Sequence, residues 1–175
     1  ITGIAAPHEN GYTGPIKRDP WVWENTVGEW FFEDNTLYDS RAMIFQMIEA
    51  ISRDGNFNLN IGLTPEGDLE PGGVKMWQDF GEFTRRNAAA IYGSSAWKII
   101  GEDAAGASIP RAFPSGPIVR EHADFVMATS DVRFTQGKDG AVYVFIMAVP
   151  KDGEILKIRA LGTNTGLLEH EIRSV

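Results

Sequence analysis

Apolar and polar residues alternate most legibly between Leu37 and Pro71. Ile44, Met47, Ile48 and Ile51 recur at i, i+3, i+4 and i+7, one face of a helix. Asp39 or Ser40 is placed to cap its start, and Asp54-Gly55 to stop it through a left-handed glycine. Over Asn56–Ile61 the period changes to two: Phe57, Leu59 and Ile61 alternate with Asn56, Asn58 and Asn60. The spacing predicts a strand with an apolar face and a row of amides. A second helix is predicted over Gly73–Tyr92, with Val74, Trp77, Phe80, Gly81, Thr84, Ala88 and Ile91 along its stripe. Gly81 suggests close helix-to-strand packing, and Lys75, Asp79, Glu82, Arg85 and Arg86 a solvated face.

Upstream, residues 1–20 are rich in Gly and Pro and read as loop, carrying His8 and Glu9. Trp21, Val22, Trp23, Thr26 and Val27 form a β-prone run around one acid, Glu24. Strand, helix, strand and helix is α/β wiring. Downstream the texture changes. Residues 101–117 read as a linker or long loop, followed by β runs at Asp124–Thr129, Asp131–Thr135, Ala141–Val149 and Glu154–Ala160. Lys138-Asp139-Gly140 and Lys151-Asp152-Gly153 are hairpin signals. This half reads as an antiparallel sheet of a β-sandwich, left incomplete at Leu167–Val175. Residues 1–97 and 98–175 are the two expected units.

Composition narrows the chemistry. The chain has 175 residues, 43% hydrophobic, enough for a packed core, and a net charge of −8 with no basic run. Nucleic acid and anionic membrane are poor partners for such a surface. No apolar stretch reaches spanning length, and with no cysteine there is no disulfide. His8, His122 and His170 lie far apart, so no metal-ligand spacing appears and no cofactor is expected. Neither a serine nucleophile elbow nor a phosphate loop occurs. The first residue is Ile1, which suggests a piece of a longer protein. Three Asn in one strand need partners. Either they satisfy nearby backbone, or Asn60 faces a polar pocket at the C-terminal end of a barrel strand.

Several segments together resemble the α-L-fucosidases of glycoside hydrolase family 29. Asp54-Gly55-Asn56-Phe57-Asn58-Leu59-Asn60-Ile61-Gly62, followed by Pro65-Glu66-Gly67-Asp68-Leu69, resembles the signature near the end of that family's catalytic barrel. Residues Asn87 to Ser94, then Trp97, resemble the segment that closes the barrel. Trp23-Glu24-Asn25-Thr26 and Trp30 resemble the strand and loop before the helix. The ordered set covers about residues 9–97. Asn58 and Leu63 depart from the family's usual aliphatic residue and Pro, and the Trp23–Trp30 segment is shorter than in many members.

The resemblance implies the C-terminal portion of a (β/α)8-like barrel followed by a β-sandwich, and release of α-linked L-fucose from glycans with retention. Retention needs a nucleophile and an acid/base. The family's nucleophile is an Asp on an earlier barrel strand, and nothing here matches that segment. An upstream part of the same protein would have to supply it. The resemblance makes Glu9 the acid/base, with Glu24 the runner-up. It puts Trp30 against the sugar ring; Trp23 and Asn60 are the further substrate-binding candidates. Access to such a substrate suggests a secreted or periplasmic setting. The alternatives are a non-catalytic carbohydrate-binding or pseudoenzyme module, and a related barrel glycosidase of different sugar specificity.

Overall fold

The computed structural model describes residues 6–9, 11–27, 31–32, 39–69, 71–106, 110, 126–168, 170 and 172–175. Two three-stranded sheets flank a layer of helices. The first sheet is parallel, in the order β1 (Ala6–Glu9), β2 (Trp21–Val27), β3 (Asn56–Ile61). Helix α1 (Ser40–Ile51) joins β2 to β3, and α2 (Pro71–Arg86) with α3 (Ala88–Ile91) follows β3. The second sheet is antiparallel: β4 (Ser94–Glu102), β5 (Val132–Gly137), β6 (Val142–Ile146). Among the described residues no helix is long and apolar enough to cross a membrane.

The period of two at β3 is real. Phe57 and Leu59 pack toward Met43, Met47 and Ile48 of α1, while Asn56 and Asn58 are exposed on the other face. In β2 the residues facing the helices are Trp21, Trp23, Asn25 and Val27, all buried. The loop expected over residues 1–20 contains a strand. Its ladder runs from Ala6 opposite Trp21 to Glu9 opposite Glu24. Tertiary pairing overrides the Gly/Pro composition there, and Pro7, which has no N–H to give, is tolerated on a strand at the sheet's edge.

Asp39 caps α1, accepting from the Arg41 N–H at 2.9 Å and the Ala42 N–H at 3.4 Å. At the other end Asp54 takes the left-handed conformation expected of Gly55, with φ 69°. Its carboxylate accepts from Ala96 N–H at 2.9 Å and Arg18 Nη1 at 3.0 Å, which holds it there. Gly55 is needed for room: a Cβ would sit 2.3 Å from the Trp21 ring. The helix predicted over Gly73–Tyr92 is two helices, broken at Asn87, whose side-chain amide donates to the Phe83 carbonyl at 2.9 Å. Most of the expected stripe faces inward: Thr84 is buried and Trp77, Phe80 and Ile91 pack against the core, while at the start of the helix Met76 is buried and Val74 exposed. A Cβ on Gly81 would meet nothing within 4 Å, so close packing does not explain that glycine.

The boundary expected after Trp97 falls inside β4, and the chain passes between sheets at Tyr92-Gly93. The Lys138-Asp139-Gly140 hairpin forms, with Gly140 at φ 85° and the Gly137 N–H donating to Ala141 O at 2.9 Å. Strands β5 and β6 are shorter than the expected runs at Asp131–Thr135 and Ala141–Val149 or displaced from them. No strand forms over 154–160. Instead the buried Glu102 carboxylate takes the Arg159 and Ala160 N–H groups, each at 2.8 Å, and folds that segment into a 3-10 turn over Arg159–Leu161. Residues 126–129 are not strand either, and Asp124 lies outside the described residues, as do 107–109 and 111–117 of the expected linker. Among the described residues the second sheet is covered on its far side by Ala160, Ile158, Leu161, Leu167 and Leu168 rather than by another sheet.

The near side of the second sheet meets α1. Met127, Phe145 and Met147 join Met43, Met47 and Ile48 in one apolar cluster. Within this layer Glu49, fully buried, accepts from Arg133 Nη2 at 2.6 Å and Nε at 3.1 Å, and pairs with Arg53 one turn along the helix. Both arginines are fully buried.

Candidate active site

Parallel strands in register put partnered residues on the same face. Glu9 is opposite Glu24, and Glu24 opposite Asn58, so the three form one row across the sheet. Thr26 and Asn60 form the next row toward the C-terminal ends of β2 and β3. This face points away from the helices. Glu9 and Asn58 are exposed, Glu24 and Asn60 half-buried, and Thr26 is 8% exposed. Among the described residues the parallel sheet is covered by helices on one side, and the carboxylates and amides on the other resemble the inner wall of a barrel more than a finished surface.

Neighbouring strands lie about 4.8 Å apart, so the Glu9 and Glu24 backbones are that close and their side chains leave the sheet together. A group lying over this face is within reach of either carboxyl for proton transfer. Glu9 ends β1, while β2 continues past Glu24 to Val27. That extension is braced from the helix side. Asn25 donates to Gln46 Oε1 of α1 at 2.6 Å and accepts from the Thr26 N–H at 2.8 Å. The Phe31–Phe32 segment crosses the end of β3. A Cβ on Gly62 would lie 2.8 Å from the Phe32 nitrogen, and the Phe31 side chain is exposed.

The expected site residues are therefore partly assembled. Glu9, Glu24 and Asn60 share one face. Glu9 is on a strand, not on the loop expected for it. Trp23 is placed on the opposite face. It is fully buried against Ala50, Phe57 and the loop at Gly11, because strand alternation turns it away from Glu24. Its role is packing, and the substrate contact expected of it is corrected. Trp30 lies outside the described residues. His8 also faces the helix side, 3.0 Å from Lys17 Nζ and in ring contact with Tyr12 and Trp21. Thr26 was not singled out by its residue type, although its parity with Glu24 places it on the same face. No group of three or more potential metal ligands occurs among the described residues.

Residues 3–89 match the family model described as alpha-L-fucosidase. The chain is 24% identical over 177 residues to an alpha-L-fucosidase of Dictyostelium discoideum, covering 93% of this chain and 33% of that protein. It is 25% identical over 121 residues to the tissue alpha-L-fucosidase of Rattus norvegicus, covering 69% of this chain and 21% of the relative. The chain thus spans a third or less of these curated relatives. Among solved structures it superposes on an alpha-L-fucosidase with a TM-score of 0.62 at 18% identity, covering 82% of this chain and 29% of that one. The Thermotoga maritima alpha-fucosidase in complex with a mechanism based inhibitor gives 0.61 at 17% identity, covering 83% and 29%. At such identities the likeness is one of fold.

Proposed function

We propose that this chain, whose residues 3–89 match the alpha-L-fucosidase family model, is the part of a retaining α-L-fucosidase that carries the acid/base side of its site. In this reading residues up to Gly93 form the last strands and helices of a (β/α)8-like barrel, and the antiparallel sheet is part of a β-sandwich. The substrate is a glycan bearing terminal α-linked L-fucose. Glu9 protonates the departing glycosidic oxygen, then takes a proton from the water that attacks the glycosyl-enzyme. The nucleophilic Asp comes from sequence that this chain does not contain. Asn60 and Trp30 contact the sugar.

The observation that supports the reading is the row Glu9–Glu24–Asn58 on the face away from the helices of a parallel sheet whose strands advance in chain order. Barrel enzymes place catalytic groups at the C-terminal ends of such strands, and Glu9 ends β1. Glu24 is the alternative because its carboxyl leaves the same face one strand away.

The test is made in the complete enzyme. Glu9→Ala should lower turnover of an unactivated fucoside by about 10²–10⁴-fold. An activated aryl fucoside should suffer less in the first step, and azide should restore its turnover. If azide rescues Glu24→Ala and not Glu9→Ala, the two exchange roles. If it rescues neither, the acid/base lies outside this chain.

A further inference from the structure

Strand β2 is paired on both edges only as far as Glu24. The β1 ladder ends with Glu9 opposite Glu24, while β3 continues alongside through Val27. No β1 residue therefore lies across from Thr26. The Thr26 N–H donates to Asn25 Oδ1 at 2.8 Å, so a side chain of β2 serves where the neighbouring strand has stopped. The Asn25 amide also donates to Gln46 Oε1 of α1 at 2.6 Å. Both side chains are buried, Gln46 in a helix whose Met43, Met47 and Ile48 belong to the apolar core.

An amide pair in such a layer adds little stability, since two apolar groups of the same shape can replace a buried hydrogen bond almost without cost. What it adds is direction. A hydrogen bond holds over a narrow range of angles, whereas apolar contact is not directional. Helix α1 is itself anchored to the second sheet, where Glu49, three residues beyond Gln46, accepts from Arg133 Nη2 at 2.6 Å. The Asn25–Gln46 bond thus ties β2 to an anchored helix at the residue between Glu24 and Thr26, both of which stand on the face of the candidate site.

We propose that Asn25 and Gln46 are positioning residues of the acid/base row, holding Glu24 level with Glu9 where the β1 ladder stops. The inference rests on the fucosidase reading above and deepens it by assigning two residues that do not touch substrate. Asn25 lies on the helix side of the sheet with Gln46 behind it, and their effect passes through the backbone of β2 to the other face. Whichever carboxyl gives the proton, the alignment of the row depends on this stretch of β2. A displacement of about 1 Å at a reacting group can cost about 100-fold in rate.

The test is made in the complete enzyme, with thermal unfolding recorded for each variant so that rates refer to folded molecules. Gln46→Met keeps the volume and removes the acceptor. It should lower kcat on an unactivated fucoside by about 10–100-fold, with KM changed by less than about twofold. An activated aryl fucoside, which needs little protonation, should lose less. Asn25→Leu, which removes both bonds, should go further in the same direction. Phe134→Leu, in the separate apolar cluster of the second sheet, is the control for lost stability and should turn over both substrates at the wild-type rate. Wild-type rates in Gln46→Met, or equal losses on the two substrates, overturn the proposal and leave the fucosidase reading standing. A wild type that cleaves neither substrate overturns both.

Discussion

Neutralising Glu49 should be the most damaging conservative change in this chain. Glu49, Arg53 and Arg133 are all fully buried, and one carboxylate serves two guanidiniums. Glu49→Gln keeps the shape but replaces one acceptor oxygen by a donor that faces N–H groups. It also removes the charge of the carboxylate that faces both buried guanidiniums. Removing one partner from a buried ion pair costs about 3–5 kcal/mol, against a total domain stability of about 5–15 kcal/mol. With a urea slope of about 2 kcal/mol/M, the unfolding midpoint should fall by about 1.5–2.5 M. Arg133→Met should cost less, because it leaves Glu49 and Arg53 as a balanced pair. Replacing all three by Met should recover most of the loss, since apolar groups of similar volume often substitute for a buried ion cluster without penalty. Urea titrations followed by tryptophan fluorescence and circular dichroism give the three midpoints. A Glu49→Gln cost below about 1 kcal/mol, or an Arg133→Met cost equal to or above it, would refute the idea that uncompensated charge controls this interface.

Gly81→Ala should raise the melting temperature by about 2–4 °C, because it removes a helix-interior glycine where a Cβ meets open space. Gly55→Ala should lower it, since the new Cβ would lie 2.3 Å from the Trp21 ring; calorimetry on both variants checks the contrast. The Thr129 hydroxyl, and next the Lys151 N–H, hold the Glu154 carboxyl below its usual value. A depressed folded value means stability present above the unfolded value and lost as pH falls through the folded one. The wild-type advantage over Glu154→Gln in melting temperature should therefore hold from about pH 7 to about pH 5 and vanish toward about pH 3.

What the sequence made legible follows from local periodicity. The alternation across Asn56–Ile61 identified a strand, its two faces and the side on which the amides stand, because a period of two needs no knowledge of partners. The start of α1 was readable to within the choice between Asp39 and Ser40, and the cap is Asp39. Alternation also held information that residue type obscured. Trp23 and Glu24 are adjacent in one strand, so they cannot share a face, and placing Glu24 in the site removes Trp23 from it. The expectation that Trp23 binds substrate runs against that alternation.

The features that were not legible are decided by groups distant in the chain. β1 exists because Ala6–Glu9 finds β2, and only that register brings Glu9 beside Glu24. Residues 154–158 have strand composition, yet the neighbouring Arg159 and Ala160 N–H groups go to the Glu102 carboxylate, more than fifty residues earlier. Glu49 lies between Ile48 and Ala50 on α1, and its ion pairing depends on Arg133, 84 positions away. The candidate site inherits this asymmetry. Its chemistry is carried by residue types that the sequence displays, whereas its geometry depends on register between strands separated by long connections. Two acids about fifteen residues apart become one row only if β1 and β2 run parallel without an offset. An offset of one residue would turn Glu9 to the helix side with His8 facing out, which is why strand register, more than the identity of either acid, determines whether this face can act on a substrate.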